Sequence, residues 1–215
     1  KRSCCCWSKD KVAGDTLCGC NLLAMLREAG LDEDDIAYAQ FGVSVERNPY
    51  CITIDHEWKS VVLTIRGTLS LEDAVTDLSI RPASLSKWGE RCSFDGEGEY
   101  CHEGMLVSAE WVLRDLEKHG ILDKLLLASD CRYPGYRLYV AGHSLGAGCA
   151  AILALMLKPK FSSLKCLCFE PPAVLTARVA EQTFITSFVL DADIVPRLSY
   201  HSLENLRDDM LDLIA

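Results

Sequence analysis

The sequence predicts an α/β fold, with one mixed, mostly parallel sheet and helices on both faces. Three observations carry this expectation. Leu138–Ala141 is a short apolar run, Gly142–Gly146 a glycine-flanked turn, and Ala147–Leu157 a run of small and aliphatic residues. Together they read as strand, tight turn and helix. From there on, strand-like and helix-like stretches alternate, which implies parallel strands joined by crossover helices. Upstream, Pro49–Asp55 and Lys59–Ile65 lie too close for a crossover and read as an antiparallel hairpin, so the sheet is mixed.

Taken in order, Lys1–Cys20 is polar, cysteine-rich and irregular, a segment set apart from a single domain over 21–215. Asn21–Ala29 reads as a short helix with Leu22, Leu23 and Leu26 on one face and Gly30 as its stop. Asp32–Asp35 is either the acidic start of another helical turn or a solvated loop. In Pro49–Asp55, Tyr50, Ile52 and Ile54 alternate onto one face; Asp55-His56-Glu57 turns the chain into the valine- and isoleucine-rich Lys59–Ile65. Arg66-Gly67-Thr68 follows: either an N–H and an O–H offered to an oxyanion, or a plain turn. Glu72–Leu78 reads as one or two helical turns, with Arg66 and Asp77 placed to pair. Arg81–Tyr100 lacks periodicity and reads as a lid carrying Trp88 and Phe94 or as a loose surface loop.

His102 opens a helix through Lys118, with Val107, Trp111, Val112 and Leu116 as a core stripe. Its own expected role is a structural hydrogen bond rather than titration. Gly120–Arg132 holds another helix, and Tyr133-Pro134-Gly135 turns into the strand at Leu138. Beyond Leu157, Lys165–Glu170 is a strand ended by Pro171-Pro172, and Thr176–Gln182 is helical. Phe184–Leu190 is a strand, and Leu203–Ile214 is an amphipathic helix carrying Leu203, Leu206, Met210, Leu211 and Ile214.

A chain of 215 residues buries one good core, not two. Its 49% hydrophobic and 25% charged residues are those of an ordinary globular protein. The net charge of −9 argues against nucleic acid as a partner and against a general electrostatic grip on anionic lipid. No apolar run reaches transmembrane length, and no signal peptide is present. The chain opens on Lys1 and stops at Ala215 just after an amphipathic stretch, and so reads as a piece of a longer protein.

The 12 cysteines do not form a disulfide framework. Cys149 falls in the helix after the turn, and Cys166 and Cys168 alternate onto one side of a strand; these suit small buried thiols in a reducing compartment. Cys4-Cys5-Cys6 with Cys18-x-Cys20 lacks the spacing and histidines of a standard zinc set. Palmitoylation of that cluster is a second reading; unreactive thiols are the leading one, and no metal site is assigned.

The turn is a Gly-x-Ser-x-Gly nucleophile elbow, with Ser144 exposed between strand and helix. Its hydroxyl needs a base, and the base needs a carboxylate. Active residues of such sheets sit at the carboxyl ends of strands. Asp193 lies at one, two strands beyond Ser144, and is the candidate acid; Asp191 is its competitor, pointing to the other face. Serine followed by acid is the chain order of the α/β-hydrolase fold. The base is missing. His201 follows Asp193 too soon, His143 adjoins the serine but points elsewhere, and His56, His102 and His119 precede the elbow. The base is expected beyond Ala215, which leaves the fold incomplete at the C-terminus and the chain by itself nearly inactive.

These residues resemble the class 3 lipases, and more closely the sn-1-specific diacylglycerol lipases. The likeness is carried by Ile65-Arg66-Gly67-Thr68-Leu69-Ser70, Asp73-Ala74-x-Thr76-Asp77-Leu78 and Cys18-Gly19-Cys20-Asn21. It continues through Gly30-Leu31-Asp32-Glu33, Asp55-His56-Glu57, His102-x-Gly104-Met105, Gly142–Gly148 and Asp193-Ile194-Val195-Pro196-Arg197-Leu198, all in the family's order. The resemblance implies a membrane-associated serine lipase on the cytosolic face. It would hydrolyse the sn-1 ester of diacylglycerol to a fatty acid and a 2-monoacylglycerol such as 2-arachidonoylglycerol. By motif, Ser144 is nucleophile, Asp193 acid, and Thr68 with the N–H of Leu145 the oxyanion hole. Calcium stimulation is also implied, although the chain carries no calcium-loop pattern. Glu170 stands where the family pattern leads one to expect serine. The alternative is a catalytically incomplete module that binds lipid or a partner.

Overall fold

The computed structural model describes residues 11–44, 47–67, 82–197 and 200–214. Seven strands form one sheet: β1 (Val12–Ala13), β2 (Ile36–Gln40), β3 (Tyr50–Asp55), β4 (Ser60–Ile65), β7 (Arg137–His143), β8 (Lys165–Phe169) and β9 (Ile185–Phe188). They lie in the order β1-β2-β3-β4-β7-β8-β9. β2, β3 and β4 are antiparallel neighbours, while β4, β7, β8 and β9 run parallel. The expected mixed, mostly parallel sheet and its hairpin are both present. The register brings Ile65 beside Gly142, His143 beside Phe169, and Phe169 beside Phe188. The carboxyl ends of β4, β7, β8 and β9 therefore finish along one rim.

One face carries the main core. α4 (Leu145–Leu157) is apolar all round, and each of its residues is buried. It has to lie between layers, and it does: β7 and β8 are on one side, with α3 (Glu103–His119) and α2 (Ser86–Cys92) on the other. α3 turns Met105, Ala109, Val112, Leu113 and Leu116 inward at helical spacing, while Val107 and Trp111 are half-buried. His102 caps it, its Nδ1 accepting the Met105 N–H at 3.3 Å, the structural role expected of it. On the opposite face, α1 (Cys20–Ala29) packs Leu22 onto Ile36 and Ala39, with Met25, Leu26, Leu31 and Phe41 around them. Asp15 anchors α1 by accepting the N–H groups of Asn21 at 3.2 Å and Leu22 at 3.1 Å. Leu23, expected on the buried face, is instead exposed.

Several local expectations change. Val12–Ala13 joins the sheet beside β2, so the N-terminal segment is not irregular throughout. Strand β2 has no counterpart in the sequence reading; before it, Asp32–Asp35 forms a short 3-10 turn over Glu33–Asp35. The helix expected over Gly120–Arg132 is a single wide turn at Asp123–Leu127. Arg81–Tyr100 is neither lid nor loose loop from residue 82 onward. It contains β5 (Pro82–Ser84) and α2, and leads into β6 (Tyr100–His102), which pairs with β5. Trp88 and Phe94 pack on the core, and Trp88 Nε1 donates to Glu110 at 3.1 Å. Arg178, in α5 (Ala177–Ala180), clamps the stretch by donating to Glu99 and the Glu97 carbonyl at 2.7 Å and to Asp95 at 2.6 Å. Residues 68–81 lie outside the described residues. The Glu72–Leu78 helix, the Asp77 side of the Arg66–Asp77 pair and Thr68 all fall in that stretch.

The described cysteines are all free thiols. Cys149, Cys166 and Cys168 are buried, as expected, with 3.5 Å between the last two sulfurs. Burial pushes the Cys149 and Cys101 thiols up to about 12 and Cys51 up to about 11. Because the thiolate is the nucleophile, these three are inert in the native state near neutral pH. Iodoacetamide on the folded chain labels the exposed Cys18 and Cys20 and spares Cys51, Cys101 and Cys149 until denaturant is added. Mass spectrometry of the tryptic peptides reads this, and early labelling of Cys149 refutes the burial.

Candidate active site

Ser144 joins β7 to α4 at φ 54° and ψ −127°. A serine rarely adopts this backbone, and holding it there costs about 1–3 kcal/mol that the surroundings must supply. They supply it through close packing that only glycine permits. A Cβ on Gly142 collides with the Gly146 carbonyl, and one on Gly146 with the backbone of β4 at Ile65. A Cβ on Gly67 lies 2.7 Å from the His143 carbonyl oxygen, so the end of β4 abuts the elbow. The Ser144 N–H donates to the Phe169 carbonyl at 2.9 Å, tying the turn to the tip of β8. The Ser144 side chain remains partly exposed at the rim, as the motif predicts. The Leu145 N–H opens the first turn of α4, where backbone donors have no intrahelical acceptor, and the helix dipole favours negative charge.

Asp193 lies in the loop after β9, two strands from Ser144. Its Oδ1 accepts the Val195 N–H at 3.0 Å. Its Oδ2 is buried and has no hydrogen-bond partner among the described residues. A buried carboxylate oxygen without a donor is costly, and such groups mark places where a partner belongs. Arg197, to which the sequence reading gave no role, holds this loop: one guanidinium nitrogen donates to the Asp193 carbonyl and another to the Asp191 carbonyl at 3.1 Å. Asp191 is exposed.

The described histidine side chains are engaged elsewhere. His143 turns from the serine to Glu170, Nε2 to Oε2 at 3.2 Å. His56 meets the Tyr136 hydroxyl at 3.1 Å, His102 caps α3, and His119 faces Asp115 at 3.6 Å. His201 falls in α6 (Tyr200–Ile214), but its side chain lies outside the described residues. Among the described residues no three His, Cys, Asp or Glu side chains gather as a metal-ion cluster.

A cleft of about 810 Å³ lies between α1 and the sheet, and Gly67, Gly142 and His143 put one end of it beside the elbow. Ala24, Met25, Leu31, Phe41 and Ala141 line it with apolar surface, and Arg66 is at the same end as the elbow. The rim near Asp193 is apolar too: Phe188, Val189, Leu190 and Ile194 are exposed, and Phe188 stacks on Phe169 with ring centroids 5.0 Å apart.

A serine elbow at the tip of one parallel strand and a carboxylate two strands along define an α/β-hydrolase. The chain belongs to the class 3 lipase family, whose model matches residues 62–203. It is 38% identical over 213 residues to diacylglycerol lipase-alpha of Rattus norvegicus, covering 94% of this chain and 20% of that protein. It is 33% identical over 209 residues to diacylglycerol lipase-beta of Mus musculus, covering 96% of this chain and 30% of that protein. The chain thus spans less than a third of either relative. The crystal structure of a mutant form of MDLA from Penicillium cyclopium superposes with a TM-score of 0.64 at 26% identity, over 78% of this chain and 59% of that one.

Proposed function

We propose that the chain is the core of a serine lipase that cleaves the sn-1 ester of diacylglycerol to a fatty acid and a 2-monoacylglycerol. The observation that carries this is a strained, glycine-supported Ser144 with, two strands along, an Asp193 whose buried Oδ2 has no donor among the described residues. An imidazole N–H is the group that such an oxygen would accept in a triad. The base is a histidine outside the described residues, expected beyond Ala215. It takes the Ser144 proton as Oγ attacks the ester carbonyl carbon. The carbonyl electrons move onto oxygen, where the Leu145 N–H and Thr68 stabilise the charge. The intermediate collapses by expelling the glycerol alkoxide, which takes the proton from the histidine. Water, deprotonated by the same histidine, then cleaves the acyl-serine.

The named activity of the diacylglycerol lipase relatives supports the substrate class. So does the cleft beside the elbow, whose volume falls in the range of small-molecule sites and whose lining is largely apolar. The apolar rim around Phe188 to Ile194 suits contact with a membrane surface, on the cytosolic face, from which a glycerolipid is drawn. Calcium enters no step. The test uses the longer native protein and a diacylglycerol with distinguishable acyl chains at the two ester positions. Release of the sn-1 chain with 2-monoacylglycerol is the expected result. Release of the sn-2 chain, or turnover of short water-soluble esters with no gain at an interface, overturns the reading.

A further inference from the structure

A second cleft, of about 870 Å³, lies on the flank of the sheet beside α3 and away from the elbow. Its floor is a polar network. Tyr50 donates to Asp115 Oδ2 at 2.7 Å and Tyr38 to the same oxygen at 3.4 Å. Burial, and then the charge of Asp115, push the Tyr38 hydroxyl up to about 12, so it stays protonated and donating. The walls carry Arg47, Lys118, Lys124 and Arg132, with His119 between them. Arg47 lies over Trp111 at 5.8 Å and Arg132 over Tyr133 at 5.4 Å, which holds both guanidinium groups in place. Lys124 donates to the His119 carbonyl at 3.0 Å, covering the negative end of α3.

Four permanent cations thus share one cleft with a single carboxylate, whose Oδ2 is already occupied by two tyrosines. None of the four forms an ion pair among the described residues. On a chain of net charge −9 this is a local inversion of sign. Like charges gathered in a concave site repel one another and raise the local concentration of anions. Paired guanidinium and ammonium donors match phosphate oxygens well.

We propose that this flank cleft binds a phosphate group bearing two or more negative charges, held by Arg47, Lys118, Lys124 and Arg132. A soluble phosphate ester and a phospholipid headgroup present the same chemistry, and the test separates them. Isothermal titration of the chain with inositol trisphosphate measures the first. Co-sedimentation with phosphatidylcholine vesicles, with and without phosphatidylinositol bisphosphate, measures the second. Binding in either arm, weakening with salt, is expected. The double variant Lys118→Glu/Arg132→Glu, on exposed positions, should lose affinity by ~tenfold or more. Lys124→Gln should give a smaller loss, and circular dichroism should report all variants folded. The control Lys87→Glu/Lys165→Glu makes the same charge change outside the cleft and should leave binding unaltered. Absence of binding in both arms overturns the proposal, as does an equal loss in the control. Neither outcome touches Ser144 chemistry, because neither Ser144 nor Asp193 lines this cleft.

Discussion

Replacing Ser144 with alanine in the longer native protein should lower ester turnover by about six orders of magnitude, as removal of a triad serine does elsewhere. Labelling by a fluorophosphonate probe should vanish with it. The fold should survive, because Ser144 holds its turn through the backbone: its N–H reaches the Phe169 carbonyl, and its own carbonyl accepts from Ala147 at 2.9 Å. Alanine keeps both bonds and accepts the positive φ no worse than serine. The thermal midpoint therefore moves little while activity disappears. Labelling that persists in the variant removes Ser144 from the chemistry.

Asp193→Asn should cost about four orders of magnitude in turnover, because an amide cannot hold the imidazole in its working tautomer or stabilise its charge. The exchange is nearly isosteric. The oxygen that accepts the Val195 N–H remains available, and Arg197 holds the loop through main-chain carbonyls, which the exchange leaves untouched. Loss of turnover with an unchanged thermal midpoint is the expected pair of readings. Asp191→Asn, at an exposed position, serves as the comparison and should leave turnover nearly intact. Equal losses at both positions would reject Asp193 as the acid.

The elbow was legible in the sequence because it is a local device: a few consecutive residues, with glycines wherever a Cβ would strike backbone. The place of Asp193 just beyond the end of a parallel strand was legible from the strand pattern around it. Thr68 and the His201 side chain lie outside the described residues. Arg81–Tyr100 was misread because its order is imposed from far along the chain. Arg178 reaches back to Asp95, Glu97 and Glu99, and no periodicity within the loop could announce that. Strand β2 was missed because Ile36–Gln40 is short, alanine-containing and shifts register between Ile36 and Tyr38, which breaks its alternation. The role of Arg197 was hidden for a related reason: it grips carbonyls, which carry no signature in residue identity. The basic cleft draws its charges from residues 47 to 132, so the whole-chain balance of −9 conceals it.

The tip of β8 ties the serine turn and the end of β9 to one peptide unit. Its Phe169 carbonyl receives the serine turn, and the N–H of the following Glu170 donates to Phe188 at 2.8 Å, where the chain departs toward the acid. The elbow and the strand that leads to Asp193 therefore hang from one amide, like two pans from one beam. A twist of that single amide plane would act on the serine turn and on the end of β9 together.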